Sequence, residues 1–116
     1  MAQSYKILGQ IKPTENTLSN VYVVPSANSA IVSTIYITNQ EDANANVDII
    51  VRPINEALGN KHYILKEQLV ERADTLVLNL NITMNADTIL AANNSRRSGI
   101  TKSCNVSFNA FGVEIN

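Results

Sequence analysis

The chain has no tryptophan, one histidine, one cysteine, four glycines and three prolines in 116 residues. Each scarcity excludes some chemistry. A catalytic dyad built on His62 would need unusual partners. Zinc sites need several His, Cys or carboxylate ligands at defined spacing, and one His with one Cys does not supply them. Cys104 has no second cysteine with which to close an internal disulfide. Its place at the start of a strand suits a small buried side chain, with an intermolecular disulfide as the alternative. With so little glycine there is no glycine-rich loop to cradle a phosphate. The expectation is no catalytic site, no metal and no cofactor.

Charge is scarce too. Only 16% of residues are charged, and nine Lys plus Arg against ten Asp plus Glu leave a formal net charge of -1. No field would gather nucleic acid or an acidic membrane surface. Four Tyr and two Phe, with no basic stripe beside them, make a poor stacking platform for bases. No apolar run is long enough to span a bilayer, and no charged-then-apolar leader opens the chain at Met1-Ala2-Gln3-Ser4. The expectation is a protein made in the cytoplasm, without membrane insertion. Solubility falls to Asn, Ser and Thr, and such polar uncharged surfaces suit a protein packed against neighbours. The length fits a single domain, 1–116, which buries roughly two-thirds of its unfolded surface.

What is abundant is alternation. Apolar residues recur at every second position, the period of half-buried strands. The pattern predicts strands over 5–11, 18–24, 30–39, 47–53, 62–69, 74–83 and 88–92, and a last one from Cys104 onward. Residues 74–83 are the cleanest run: Leu76, Leu78, Leu80 and Ile82 alternate with Val77, Asn79, Asn81 and Thr83. Pro53 closes the fourth strand, since proline cannot donate to a ladder. Residues 54–60 are the one candidate helical turn, with Gly59 as its stop. Residues 93–102 read as a polar loop. About eight short strands with turns between them predict an all-β fold. The expected form is a β-sandwich, jelly-roll or immunoglobulin-like, of hairpin-linked, mainly antiparallel strands.

Two details point toward partners. In the strand over 30–39, Ile31, Ile35 and Ile37 are assigned to the core, which puts Val32 and Tyr36 on the other face. By the same alternation Ile50 and Val77 face outward. A sandwich's outer face is normally polar, so these apolar positions suggest a covered sheet or a subunit contact. The dibasic Arg96-Arg97 is a candidate bidentate contact to a neighbour's carboxylate. At the C-terminal end Val106, Phe108 and Ala110 alternate with Asn105, Ser107 and Asn109; then Phe111, Val113 and Ile115 become the apolar set. A phase change beside Gly112 suggests a bulge or bend, and Phe111 joins the candidate contacts if it is exposed. The expected subunit contacts are therefore Val32, Tyr36, Ile50, Val77, Arg96, Arg97 and Phe111.

Other patterns carry little. The carboxylates Asp42, Asp48, Asp74 and Asp87 form no calcium loop. Asp74 and Asp87, each before a threonine and an apolar run, read as turn caps. His62, in Lys61-His62-Tyr63, reads as a structural or surface residue. The Asn-X-Ser/Thr triplets at Asn81, Asn93 and Asn105 read as chance in an Asn-rich chain.

Fragments in order carry a resemblance: Tyr5-Lys6-Ile7-Leu8-Gly9-Gln10, Val21-Tyr22-Val23-Val24-Pro25 and Ile31-Val32-Ser33-Thr34-Ile35 come first. Val51-Arg52-Pro53, Lys61-His62-Tyr63-Ile64, Asn81-Ile82-Thr83-Met84 and Ala86-Asp87-Thr88 follow, and Phe108-Asn109-Ala110-Phe111-Gly112-Val113-Glu114-Ile115 closes the set. Together they resemble a family of small all-β virion structural proteins of tailed bacteriophages, over nearly the whole chain. The resemblance implies a non-enzymatic subunit of the tail, neck or baseplate–fibre region, or a head decoration. It implies a homo-oligomer, other virion proteins as partners and a place in the virion. It transfers no catalytic residue. The charged pairs Lys66-Glu67 and Glu71-Arg72 and the Arg96-Arg97 loop depart from the family's pattern. The alternative is a module that binds a host-surface glycan through strand-end loops.

Overall fold

The computed structural model describes residues 3–116, with side chains from residue 5 onward. Met1 and Ala2, read above for a leader, lie outside the described residues. Eight strands follow one another: β1 (Gln3–Ile11), β2 (Ser19–Val23), β3 (Ser29–Asn39), β4 (Ala45–Pro53), β5 (Tyr63–Val70), β6 (Thr75–Met84), β7 (Thr88–Arg96) and β8 (Val106–Ile115). They form two four-stranded sheets, β1-β8-β3-β6 and β2-β7-β4-β5, and every pairing is antiparallel.

That order decides between the two expected forms. Consecutive strands fall in opposite sheets at every step except β4 to β5. Eight strands crossing this way make a jelly roll, whereas an immunoglobulin sandwich keeps its first two strands side by side in one sheet. Antiparallel pairing was expected from hairpins, but only β4 and β5 are joined in that way. The other neighbours are distant in sequence, as with Gln3 opposite Ile115. Periodicity reports which face a residue takes, not which strand lies beside it.

Both sheets turn one face inward. Val32, Ile35, Ile37, Val47, Ile49, Leu90, Ala92, Val106, Phe108 and Ala110 are buried in the shared core. Phe108 is the largest fully buried side chain, and burial of such a ring contributes about 1.5–3 kcal/mol. Asn39 is also buried. Its amide donates to the carbonyls of Ala43 and Val70, and its oxygen accepts from the N–H of Glu41. This use of every polar atom makes the burial tolerable and ties the β3–β4 turn to the end of β5.

Register shifts interrupt five of the six pairings, β3–β6 and β4–β5 included. Leu8 is inserted in β1 opposite β8, Val21 in β2 opposite β7, and Ser33 in β3 opposite β8. Each shifts the phase of its strand by one. In β8 the alternation runs unbroken: Phe111, Val113 and Ile115 share the side of Ser107 and Asn109, and Gly112 shares the inner side of Ala110. The bend expected at Gly112 is carried by bulges on the flanking strands. Gly112 answers a different need, because a β-carbon there would collide with the carbonyl oxygen of Ile31. Gly9 admits the carbonyl of Val21 from the other sheet in the same way.

The remaining differences are local. No helix forms over 54–60; a three-residue 3-10 turn falls at Asn60–His62 instead. The chain continues as β7 through Arg96, beyond the expected start of a loop at residue 93. Among the described residues no helix is long and apolar enough to cross a membrane.

Candidate functional site

Two outer faces remain, and they differ. The outer face of β2-β7-β4-β5 is partly covered by the chain itself, although Val23 stays exposed. Ile50, Ile89 and Ala91 form a second buried cluster, with Tyr63 packed against it. The connection after β4 is knitted by His62. The N–H of Gly59 donates to Nδ1 at 2.9 Å, so Nε2 carries the proton and donates to Glu56 Oε1 at 3.2 Å. Lys61 adds an ion pair to the same oxygen at 3.0 Å. The lysine first, and the histidine second, hold the Glu56 carboxyl below the usual range. His62 is buried and structural. This sheet also carries charge: Asp48 on β4 accepts from the N–H of Glu67 on β5, beside Lys66.

The outer face of β1-β8-β3-β6 is open. Its positions follow from register: Tyr5 lies opposite Val113, Ile7 opposite Phe111, and Gln10 opposite Asn109. Ile31 lies opposite Val113, Thr34 opposite Phe111, and Tyr36 between Asn109 and Val77. Tyr5, Ile7, Tyr36 and Val77 are exposed, at 84%, 51%, 42% and 43%. Phe111 meets the Tyr36 ring edge-on, with centroids 5.6 Å apart. Phe111 stands between two shallow grooves. One, of about 510 Å³, is lined by Thr34, Tyr36, Thr38, Asn109 and Phe111. The other, of about 450 Å³, lies toward Tyr5, Ile7 and Ser33.

No charged side chain stands at the outward positions of this face among the described residues. Lys6 borders the second groove, but its ammonium turns to Glu114 Oε1 at 2.8 Å, on the side between the sheets. There the hydroxyl of Tyr22, from the other sheet, donates to Glu114 Oε2. Lys6 first, then Tyr22, hold the Glu114 carboxyl low, while burial and the carboxylate push the Tyr22 hydroxyl up.

Of the seven expected contacts, Tyr36, Val77 and Phe111 share this open face. Val32 does not: it is fully buried in the core. The inserted Ser33 reverses the phase of β3, sending Val32 inward with Ile35 and Ile37, and Ile31 outward. Ile50 is outward on its sheet, but it too is fully buried. Arg96 is spent within the chain. Its Nε donates to both oxygens of Glu15 at 2.9 Å, Nη1 to the carbonyl of Thr101 and Nη2 to Ser103 Oγ. Its carboxylate is thus its own chain's, not a neighbour's. Arg97 donates to Asn46 Oδ1 at 2.7 Å and stays exposed.

Glu15 also accepts from the N–H of Cys104 at 2.8 Å, and Arg96 holds its carboxyl below the usual range. Burial, then the adjacent carboxylate, pushes the Cys104 thiol up to about 11. Such a thiol is protonated and unreactive at neutral pH. Sequence reasoning missed Tyr5 and Ile7 as part of the open face, where Val113 is outward but buried. The alternation in β1 and β8 was visible, but the pairing of the first strand with the last was not.

No family model matches the chain, and no curated protein matches it. Solved structures share its fold. A chain of the T13 particle of infectious bursal disease virus matches 98% of this chain at a TM-score of 0.59 and 7% identity. A chain from the Gt strain of that virus matches at 0.54 and 7%. The matched regions are 31% and 33% of those chains, so this chain spans about a third of their length. The likeness is one of fold.

Proposed function

We propose that the chain is a non-enzymatic structural subunit of a virus particle, and that the open β1-β8-β3-β6 face is its contact surface. The observation that carries this reading is the neutral outer face, with aromatic and aliphatic side chains standing among Asn and Thr. Interface cores are depleted of charge and enriched in aromatics. Four strands about 4.8 Å apart and about 3.3 Å per residue give a face of roughly 600 Å² in projection. A standard interface buries about 800 Å² per partner, so the face is of the right order. The jelly-roll fold, shared with chains of a virus particle, supports the same reading.

The finer placement is a subunit of a tailed bacteriophage, in the tail, neck or baseplate–fibre region or on the head. It rests on the ordered sequence fragments alone. A single domain repeated on a symmetric particle needs the same patches on each copy. The test is quantitative mass spectrometry of purified particles from the encoding virus. The protein is expected at a fixed copy number per particle and in stoichiometric excess over any contaminant. Its absence from particles overturns the reading.

The groove lined by Tyr36 and Phe111 favours a second reading, binding of a host-surface glycan. The edge-on pair of rings, with Asn109, Thr34 and Thr38 beside it, suits a sugar's apolar face and hydroxyls. Saturable binding on a glycan array, lost in Phe111→Ala, would put this reading first.

A further inference from the structure

Each sheet has two edges, and three of the four are blunted. β2 is five residues long and bulged at Val21. β5 departs from regular register against β4 around Lys66 and Glu67; Glu67 takes a left-handed φ of 53° and both side chains are exposed. β1 is bulged at Leu8, carries Lys6 and brings Gly9 against the backbone of β2. Short strands, bulges and charges are the devices that keep edges from pairing with other chains.

β6 differs. Its register against β3 also shifts, with Leu80 and Asn81 opposite Ser33, but its ten residues include no charge and no proline, and its only strand partner among the described residues is β3. Alternate N–H and C=O groups along it point away from β3. The inward row Leu76, Leu78, Leu80 and Ile82 is packed against the core but only half-buried. The edge therefore leaves both hydrogen-bonding groups and apolar surface unfinished.

We propose that β6 is the docking edge for a second copy of this chain. Two β6 strands pair antiparallel across a two-fold axis, and two β1-β8-β3-β6 sheets join into one of eight strands. This rests on the reading of the chain as an assembling subunit and names a contact separate from the open face. A two-fold contact must be complementary to itself. β6 meets that demand because it is neutral throughout, so no like charges meet. Its in–out alternation is also unbroken. With Asn79 on the axis, Leu78 lies beside the partner's Leu80 and Leu76 beside the partner's Ile82. Val77 then faces the partner's Asn81, and Thr75 the partner's Thr83. The half-buried row of each copy completes the other's.

The test is hydrogen–deuterium exchange of the full chain over a concentration series, with sedimentation velocity on the same samples. Protection of residues 75–84 is expected to rise with concentration as the mass doubles, while residues 63–70 do not change. Leu80→Lys places an inward charge on the edge without touching the open face. It is expected to shift dimerisation at least tenfold to higher concentration. β6 amides that exchange equally fast at all concentrations overturn the proposal, and this readout does not depend on the variant folding. So does a folded Leu80→Lys protein that dimerises like the wild type. Protection of β6 that arises only on particles, in a chain otherwise monomeric, assigns the edge to a different protein and also overturns it. If particles carry the protein while β6 stays unprotected, this inference fails and the structural-subunit reading stands. If β6 dimers form but particles lack the protein, the reverse holds.

Discussion

One inserted residue moves every side chain beyond it to the opposite face of a strand. Ser33 does this in β3, and the placement of Val32 and Ile31 turns on it. Nothing in Val32-Ser33-Thr34 announces the insertion, since serine has no special geometry and no glycine stands nearby. Alternation carried back from Ile37 therefore puts the wrong residue in the core. Gly112 was visible as a signal, but its meaning lies in a neighbour's backbone. A β-carbon at Gly112 meets the Ile31 carbonyl, whereas one at Gly59 meets nothing within 4 Å. Gly112→Ala is expected to destabilise the fold by about 2–3 kcal/mol, the cost of overpacking a tight site. Gly59→Ala is expected to stay within about 0.5 kcal/mol, as exposed substitutions do. Urea unfolding of the two variants beside the wild type measures the difference; equal losses would mean that the close approach at Gly112 is relieved cheaply.

At the scale of elements, the strands were legible and their neighbours were not. Leu76-Val77-Leu78-Asn79-Leu80 declares a strand by period alone, yet nothing in it says that β6 lies beside β3 and ends a sheet. The connection from β7 to β8 shows the same limit. Arg96 was legible as a bidentate arginine, but its carboxylate is Glu15, 81 residues away. That pair, with the Cys104 N–H on Glu15, anchors the connection to the β1–β2 loop. Because the folded Glu15 carboxyl is held below its usual value, its stabilising contribution is fully present above the ordinary Glu pKa, about 4.3. The contribution is lost as pH falls from there through the lower folded value. Glu15→Gln is expected to lower the wild-type advantage at neutral pH and to show a flatter stability curve below about pH 4.3. Thermal melts from neutral to acidic pH test this, and parallel curves for the two proteins would assign the acid sensitivity to other carboxylates such as Glu114 and Glu56.

The whole molecule is two-sided. One sheet is partly covered by its own chain, which buries Ile50 and leaves charges at the surface; the other is open, neutral and aromatic. Association through a neutral face is driven by burial of apolar surface, which salt does not screen. Association through Arg97 and surface carboxylates would weaken as the Debye length falls to about 3 Å at 1 M salt. Tyr36 stands at the centre of the open face, 42% exposed, against Phe111 and beside Val77. An edge-on aromatic pair is worth about 0.5–1.5 kcal/mol beyond its area, and 1.4 kcal/mol is tenfold in affinity. Replacing the ring with an ammonium also places like charges on any two faces that meet. Tyr36→Lys is expected to weaken assembly beyond the β6 pair by at least about tenfold. The circular dichroism spectrum is expected to stay unchanged, because the side chain leaves no core position. Wild-type assembly itself is expected to hold or strengthen between low salt and about 1 M. Light scattering across a salt and concentration series reads both effects. A folded Tyr36→Lys protein of wild-type mass would remove Tyr36 from the contact, and assembly that dissolves in salt would move the contact to the charged surface around Arg97.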